Sequence, residues 1–440
     1  MAKSKSKQEL ILCIVLISLL FLAWDIGTVN SATAPSVLWT HSFGGKQTDR
    51  AYCVIQTDDG GYALAGSTNS FGVGGADLWI VKTDSSGNMD WNKTYGGPND
   101  EIASAIMQTE DGGFVIAGMT SSFGAGGFDY WLVKTDSQGN MQWNKTYGGA
   151  QDDFAISVIK TSDSGYALAG WTNSFGAGGE DLWLVKTDSS GNMMWNRTYG
   201  GQFDDEAHAL IQTGDGGYAI AGDTSFANGN EDAWLVKTDS NGIMQWNQTY
   251  GGAKLDTILS IVQLSDGTYA LAGYTLSFGE GLSNAWLLKT DSSGNILWNK
   301  TYGGTYDNHA YSMMHTSDGG FILAGDTKTS IDAPSNYLVI KTDSSGNMEW
   351  ERANGASTDN VAYSIIQSSD NGFVLVGTTD AGGNGDDALL VKLGGNSNIM
   401  QLPLLPIVVL FVVVLIVVLV VVLLSHKRKK GTVPNQTNRI

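Results

Sequence analysis

The sequence predicts an all-β, seven-bladed propeller whose N-terminal strand closes the last blade, followed by a single C-terminal membrane-spanning helix. Three observations predict it. Trp39, Trp91, Trp143, Trp195, Trp246, Trp298 and Trp350 recur every 51 or 52 residues in nearly identical surroundings, which marks a tandem repeat. Each copy holds four short β-rich segments divided by glycine turns, as in IASAIMQT, GFVIAGMT, DYWLVKTD and NMQWNKTY between Ile102 and Tyr147; four strands in about 50 residues make one blade. The copies are also offset at the chain ends: Val37–Phe43 matches a fourth strand and Ala388–Lys392 a third, so pairing the two completes a seventh blade and removes an open sheet edge.

Within a copy, the second and third segments (FVIAG, WLVK) read as unbroken apolar runs, as strands covered on both faces should. Ala51, Ala103, Ala155, Ala207, Ala310 and Ala362 place small side chains on the first strand, where crowding around the axis is expected. Gly66, Gly118, Gly170, Gly222, Gly273, Gly325 and Gly377 end an Ala-Gly or Val-Gly pair and predict close approach of sheets. The DGG and D-S-x-G-N segments supply the positive-φ positions of hairpin turns.

Outside 37–392, residues 1–31 join Lys3, Lys5 and Lys7 to an uncharged stretch from Leu10 to Trp24 and then small residues, the layout of a signal peptide, with an uncleaved anchor as the alternative. A linker over 393–403 leads to the charge-free run 404–424, long enough for a span of about 20 residues. The basic tail 425–440 begins with His426-Lys427-Arg428-Lys429-Lys430, which is retained on the cytoplasmic side. The expected arrangement is single-pass, with the propeller extracellular and the C-terminus cytoplasmic. The DGG and SSGN turns would face the bilayer, and the SFGxGG loops and YGGxxxD crossovers would face outward.

The chain carries 25 basic and 44 acidic residues for a net charge of −19. With much of the basic charge at the two ends, the body is strongly acidic and predicts no nucleic-acid partner. Cys53 is the one cysteine of the body, so its stability must come from packing.

Asp49, Glu101, Asp153, Asp205 and Asp256 open the first strands of five copies, with Asn308 and Asn360 in the last two. As a collar at the channel mouth they could hold Ca²⁺, the one cofactor considered, which takes several carboxylate and carbonyl oxygens; as local caps they would bind backbone N–H groups within their own blades. Asp77, Asp129, Asp181, Asp232 and Asp387 form a second repeated acid, read as structural. Phe71, Phe123, Phe175, Phe226 and Phe278 stand on the outward loops as candidate contacts, or pack beneath their own glycines. Asn92, Asn144, Asn196, Asn247 and Asn299 begin Asn-x-Thr triplets that meet the sequence requirement for N-glycosylation.

No catalytic residue emerges. The histidines show no metal-ligand spacing, no G-x-S-x-G elbow is present, and His309 and His315 read as a packed pair. Departures from the repeat carry more information than the repeat, notably the Thr327–Tyr337 loop and the leucines at 338 and 389 where other copies have tryptophan.

The repeat KTYGG…DGGYALAG…DLWLVKTDSSGNMxW resembles that of exported β-propeller repeat proteins of archaea and bacteria, over residues 37 to 392. Its D-x-x-G-x-x-x-W part, as in Asp84, Gly87 and Trp91, is similar to the tryptophan-docking motif of quinoprotein-like propellers, with a turn one residue shorter. That resemblance implies a fold, and a tryptophan packing blade against blade, more than an activity. The expected function is a cell-surface binding, adhesion or envelope-structural module for a protein or glycan partner. The alternative is an extracellular enzyme on the same scaffold, either a hydrolase or a quinone-dependent oxidoreductase.

Overall fold

The computed structural model describes residues 33–226, 230–354, 358–380 and 385–395. These form seven four-stranded antiparallel sheets. Blade 1 shows the plan: Asp49–Gln56 innermost, then Tyr62–Thr68, Asp77–Thr83 and Met89–Tyr95. Blades 2 to 6 repeat it over 101–147, 153–199, 205–250, 256–302 and 308–354. The innermost strands neighbour one another in turn, and Asn360–Gln367 of blade 7 returns to Asp49–Gln56, so the ring closes.

Closure uses the predicted exchange of ends. Val37–Phe43 is the outer strand of blade 7 and pairs antiparallel with Asp387–Leu393, Trp39 against Lys392 and Phe43 against Ala388. Gly394 N–H adds a bond to Ser36 C=O at 2.9 Å. The third strand of blade 7 thus ends one residue later than the sequence suggests.

Second and third strands are buried along nearly their whole length, because every blade is covered on both faces. Seven apolar clusters fill the seven gaps between blades. One joins Ala63, Ala65 and Ile80 of blade 1 to Ala103, Phe114 and Trp131 of blade 2, and another joins Phe43 and Leu390 of blade 7 to Leu64 and Trp79 of blade 1. The first-strand alanines lie inside these clusters, so the crowding they relieve is between blades and not at the axis. Six of the fourth-strand tryptophans, from Trp39 to Trp298, lie against the glycine turn of the next blade: a Cβ on Gly139 would stand 2.7 Å from the Trp91 ring. Tyr147 Oη donates to Gly191 C=O at 2.6 Å across the same kind of joint.

At the turn end, every third strand carries a lysine whose Nζ meets the aspartate of the neighbouring DGG-type turn, as Lys134–Asp111 at 2.9 Å and Lys341–Asp318 at 3.0 Å. Lys341 is fully buried and also donates to Thr342 C=O, so its charge is satisfied without water.

Residues 1–32 and 396–440 lie outside the described residues, and so do the expected signal segment, span and tail; residues 396–440 are a separate unit of the chain. Among the described residues no helix is long and apolar enough to cross a membrane.

Candidate functional site at the channel mouth

All seven innermost strands carry a β-bulge at the same place. In blade 1 pairing runs Asp49–Thr68, Arg50–Ser67 and Ala51–Gly66, then resumes at Cys53–Ala65, leaving Tyr52 unpaired; the other six shift likewise. Such a bulge re-aims a side chain at the cost of a ladder position. Its unpaired residues are Tyr52, Ser104, Ile156, His208, Leu259, Tyr311 and Tyr363. Opposite each bulge stands the conserved-in-pattern glycine: a Cβ on Gly222 would lie 1.9 Å from the Glu206 carbonyl oxygen, and one on Gly66 1.8 Å from that of Arg50. The close approach predicted from these glycines is therefore between strands of one blade, not between sheets.

First and third residues of these strands are buried, while second and fourth are half-exposed toward the axis in six blades. The second and fourth positions are also where the repeat is least uniform. Blades 2 and 3 present Ile102, Phe154 and Ile156, with Phe154 stacked on Trp171 at 4.1 Å and beside Phe128 at 5.0 Å. Blades 4 and 6 instead present Glu206, His208, His309 and Tyr311, and blade 5 between them presents Leu259 with Thr257 buried. Rings then continue through Tyr311–Tyr363 at 5.6 Å to Tyr363–Tyr52 at 5.3 Å, and Arg50 meets Asp386 at 2.6 Å.

In blade 4, the bulge sends His208 toward Asp223, with Nε2 to Oδ2 at 2.9 Å and Glu206 Oε2 at 3.9 Å. Thr257 Oγ1 donates to Asp223 from the next blade at 2.5 Å, which explains why Thr257 is buried. Glu180 and Glu231 complete an acidic surround. Burial pushes the Glu206 carboxyl up to about 8, and the hydrogen bond to Glu180 and the Asp223 charge add to that against the opposing pull of His208. Burial works to lower the His208 imidazole, but the Asp223 hydrogen bond and the surrounding carboxylates more than offset it and leave it raised.

In blade 6, His309 Nδ1 lies 2.8 Å from Asp326 Oδ1, and its Nε2 lies 3.0 Å from Ser283 Oγ. Tyr274 meets the imidazole edge-on at 4.6 Å. Serine, imidazole and carboxylate in line have the distances of a nucleophile relay. However, Ser283 is 3% exposed and its hydroxyl donates to Asp307 at 2.9 Å, so the proton is directed away from the imidazole and the oxygen is withheld from a substrate. His315 packs on Phe321 at 5.6 Å. Six extended residues, about 20 Å, separate His309 from His315, and the structure does not bring them together.

The structure places the predicted acids behind this lining. Asp49, Glu101, Asp153, Asp205 and Asp256 are buried at the first strand position. Asp49 accepts from Thr68 Oγ1, from Ser70 Oγ at 2.6 Å and from Gly45 N–H at 2.7 Å. Glu101 accepts from Thr120 Oγ1 at 2.8 Å and Gly97 N–H at 2.7 Å; Asp153 and Asp256 accept from Thr172 and Thr275 and from Gly149 and Gly252 N–H, and Asp205 from Gly201 N–H at 2.7 Å. Each carboxylate is thus surrounded by donors of its own repeat. Asp77, Asp129 and Asp181 likewise accept loop N–H groups, from Val73, Ala125 and Ala177.

Phe71, Phe123, Phe175, Phe226 and Phe278 are 39–44% exposed. Four also lie against the third-strand tryptophan of their own blade, as Phe175 on Trp183 at 5.3 Å. Asn92, Asn144, Asn196 and Asn247 accept the indole N–H of Trp79, Trp131, Trp183 and Trp234 at 3.1–3.3 Å, a use the sequence did not suggest; Asn299 occupies the matching place on Ile296–Tyr302. The Thr327–Tyr337 loop sends Ser335 N–H to Asp359 at 2.7 Å.

No family model matches the chain. It is similar to the "Regulatory protein FlaEY" of Caulobacter vibrioides, 23% identical over 273 residues, covering 52% of this chain and 27% of that protein. Among solved structures, the Pan2 WD40 domain of Neurospora crassa matches with a TM-score of 0.52 at 12% identity, over 82% of this chain and 96% of that one. A protein of unknown function from Dyadobacter fermentans matches with a TM-score of 0.48 at 12% identity, over 82% and 99%. At these identities the likeness establishes the propeller fold alone.

Proposed function

We propose that this chain is a membrane-tethered, cell-surface binding module that engages a protein or glycan at the channel-mouth face. One observation carries the reading: the blades are near-copies in core, turns and caps, yet diverge where side chains line the mouth, with aromatic and aliphatic residues in blades 2 and 3 and charged and imidazole groups in blades 4 and 6. Duplication alone would leave seven equal environments. An apolar arc beside a charged one suits an elongated ligand with both kinds of group, and the half-exposed phenylalanines surround it on the same face. The propeller is a scaffold that presents this surface.

The test is capture from the surface proteins and glycans of the source cells by the detergent-solubilised chain. Material retained by the wild type should be lost with Phe154→Ala combined with His309→Gln at the mouth, and kept with Gln138→Ala on the opposite turns. Equal retention by both variants would refute the assignment of the face.

A further inference from the structure

We infer that Glu206, His208 and Asp223 form a binding site for one divalent transition-metal ion, a property separate from partner recognition and independent of it.

Two carboxylates and one imidazole converge here from two strands of blade 4. Glu206 lies two residues before His208, the unpaired bulge residue of Asp205–Gln212, and Asp223 stands opposite Glu206 in the ladder. One ligand atom from each lies within 4.8 Å of the other two. A metal bound at about 2.1 Å holds its ligands roughly 3.0–3.4 Å apart. The distances from His208 Nε2, 2.9 Å to Asp223 and 3.9 Å to Glu206, bracket that range, so small side-chain rotations suffice. An undistorted strand would separate successive same-face residues with their partners in register. The bulge instead frees His208 from the ladder and lets its ring reach the Asp223 carboxylate.

Support for the ligands is in place as well. Thr257 Oγ1 holds the Asp223 carboxylate at 2.5 Å, the kind of outer contact that fixes a ligating group. Glu180 touches Glu206, and Glu231 lies close enough to act on His208. Four carboxyl groups surround one imidazole there, and no Lys or Arg side chain forms an ion pair with Glu206 or Asp223 among the described residues. One nitrogen with several oxygens favours Zn²⁺ or Mn²⁺ over the all-oxygen shell of Ca²⁺.

The sequence pattern sets the site apart. The same second and fourth positions hold Phe154 and Ile156 in blade 3, and Thr257 and Leu259 in blade 5. Only blade 6 approaches the composition, with His309 and Asp326, but there the bulge residue is Tyr311, and Ser283 occupies the second ring nitrogen. Among the described residues no other group of three ligand side chains comes together in this way.

The experiment is Zn²⁺ titration of the full chain, freed of metal by chelation and purified in detergent, read by calorimetry and by the shift in melting temperature. The expected result is one ion per chain with a raised melting temperature, weakened on the order of 100-fold or more by His208→Gln and by Asp223→Asn and unchanged by His309→Gln. Zinc X-ray absorption of the wild type alone, which needs no variant to fold, should show one imidazole and at least two carboxylate oxygens. Absence of stoichiometric Zn²⁺ binding, equal binding by His208→Gln, loss of binding in His309→Gln, or a spectrum without imidazole would each overturn the assignment.

Discussion

Gly222→Ala tests the architecture at the point where fold and mouth meet. Its Cβ would fall 1.9 Å from the Glu206 carbonyl oxygen and 2.9 Å from the carbonyl carbon. Relief to an ordinary contact of 3.4 Å requires the two strands to part by about 1.5 Å, since the obstacle is backbone and both faces of the blade are packed. Overpacking a tight interior costs roughly 1–3 kcal/mol, and an immovable neighbour puts this case at the upper end, about 3 kcal/mol. Two glycines of the same blade provide the scale. Gly201 has nothing within 4 Å and no left-handed backbone, so alanine there should change stability by less than about 0.5 kcal/mol. Gly216 also has open space but a φ of 81°, so its alanine should cost about 1–2 kcal/mol. Urea denaturation followed by tryptophan fluorescence would rank the three; the melting temperature of Gly222→Ala should drop by roughly 6 °C, at about 2 °C per kcal/mol for a domain of this size. A Gly222→Ala protein as stable as Gly201→Ala would show that the bulge does not depend on the missing side chain.

Deleting Val37–Phe43 removes the outer strand of blade 7 and the buried Phe43 ring; a loss above about 3 kcal/mol and concentration-dependent aggregation through the exposed edge of Asp387–Leu393 should appear in thermal melts and size-exclusion profiles. Asp318→Ala leaves the fully buried Lys341 with Glu349 at 3.2 Å and the Thr342 carbonyl and should destabilise by about 1–2 kcal/mol, whereas Asp266→Ala, whose contact to Lys289 is 3.9 Å, should cost less in the same urea assay. Burial pushes Asp59, Asp163, Asp215 and Asp370 up, but hydrogen bonds from lysine, from Thr or Ser and from the turn N–H together overcome it and hold them at about 2; Asp111, where the Thr109 hydrogen bond is the largest influence, is held at about 2 as well. Because the folded value lies below the unfolded one of about 3.9, their contribution is complete above about pH 4 and is lost as pH falls through 2; melting temperature should decline across that window, and less steeply once these aspartates are replaced by asparagine. Asn144→Ala strands the Trp131 indole N–H, bonded at 3.2 Å in the native blade, and should cost about 1 kcal/mol by urea denaturation.

Strand count, blade order and the exchange of ends were legible in the sequence, because they depend on local signals repeated seven times: apolar runs for covered strands, glycine turns at fixed offsets, and a fourth-strand sequence ahead of the first complete copy. The repeated acids were legible as residues but not as partners. The aspartate at the start of a first strand meets a threonine nineteen residues later, as Asp153 meets Thr172, and only strand pairing brings those two side chains together. Glu206, His208 and Asp223 depart from the repeat no more strongly than the Thr327–Tyr337 loop, and which departures line the mouth follows only from strand pairing and the bulge.

What the sequence determined by itself is the closed ring, since each copy carries its own turns, its own apolar strands and the means to cover its neighbour. What only the tertiary structure decided is which side chains reach the axis. A strand with regular alternation would bury the fifth residue with the first and third, but the unpaired His208 shifts the period, so that the fourth and fifth residues are both half-exposed and the sixth is buried. The shift depends on a glycine in the adjacent strand that has no side chain to resist the incoming carbonyl, so the bulge at His208 rests on Gly222, fifteen positions from its ladder partner Ala207 in the chain and directly opposite it in the sheet.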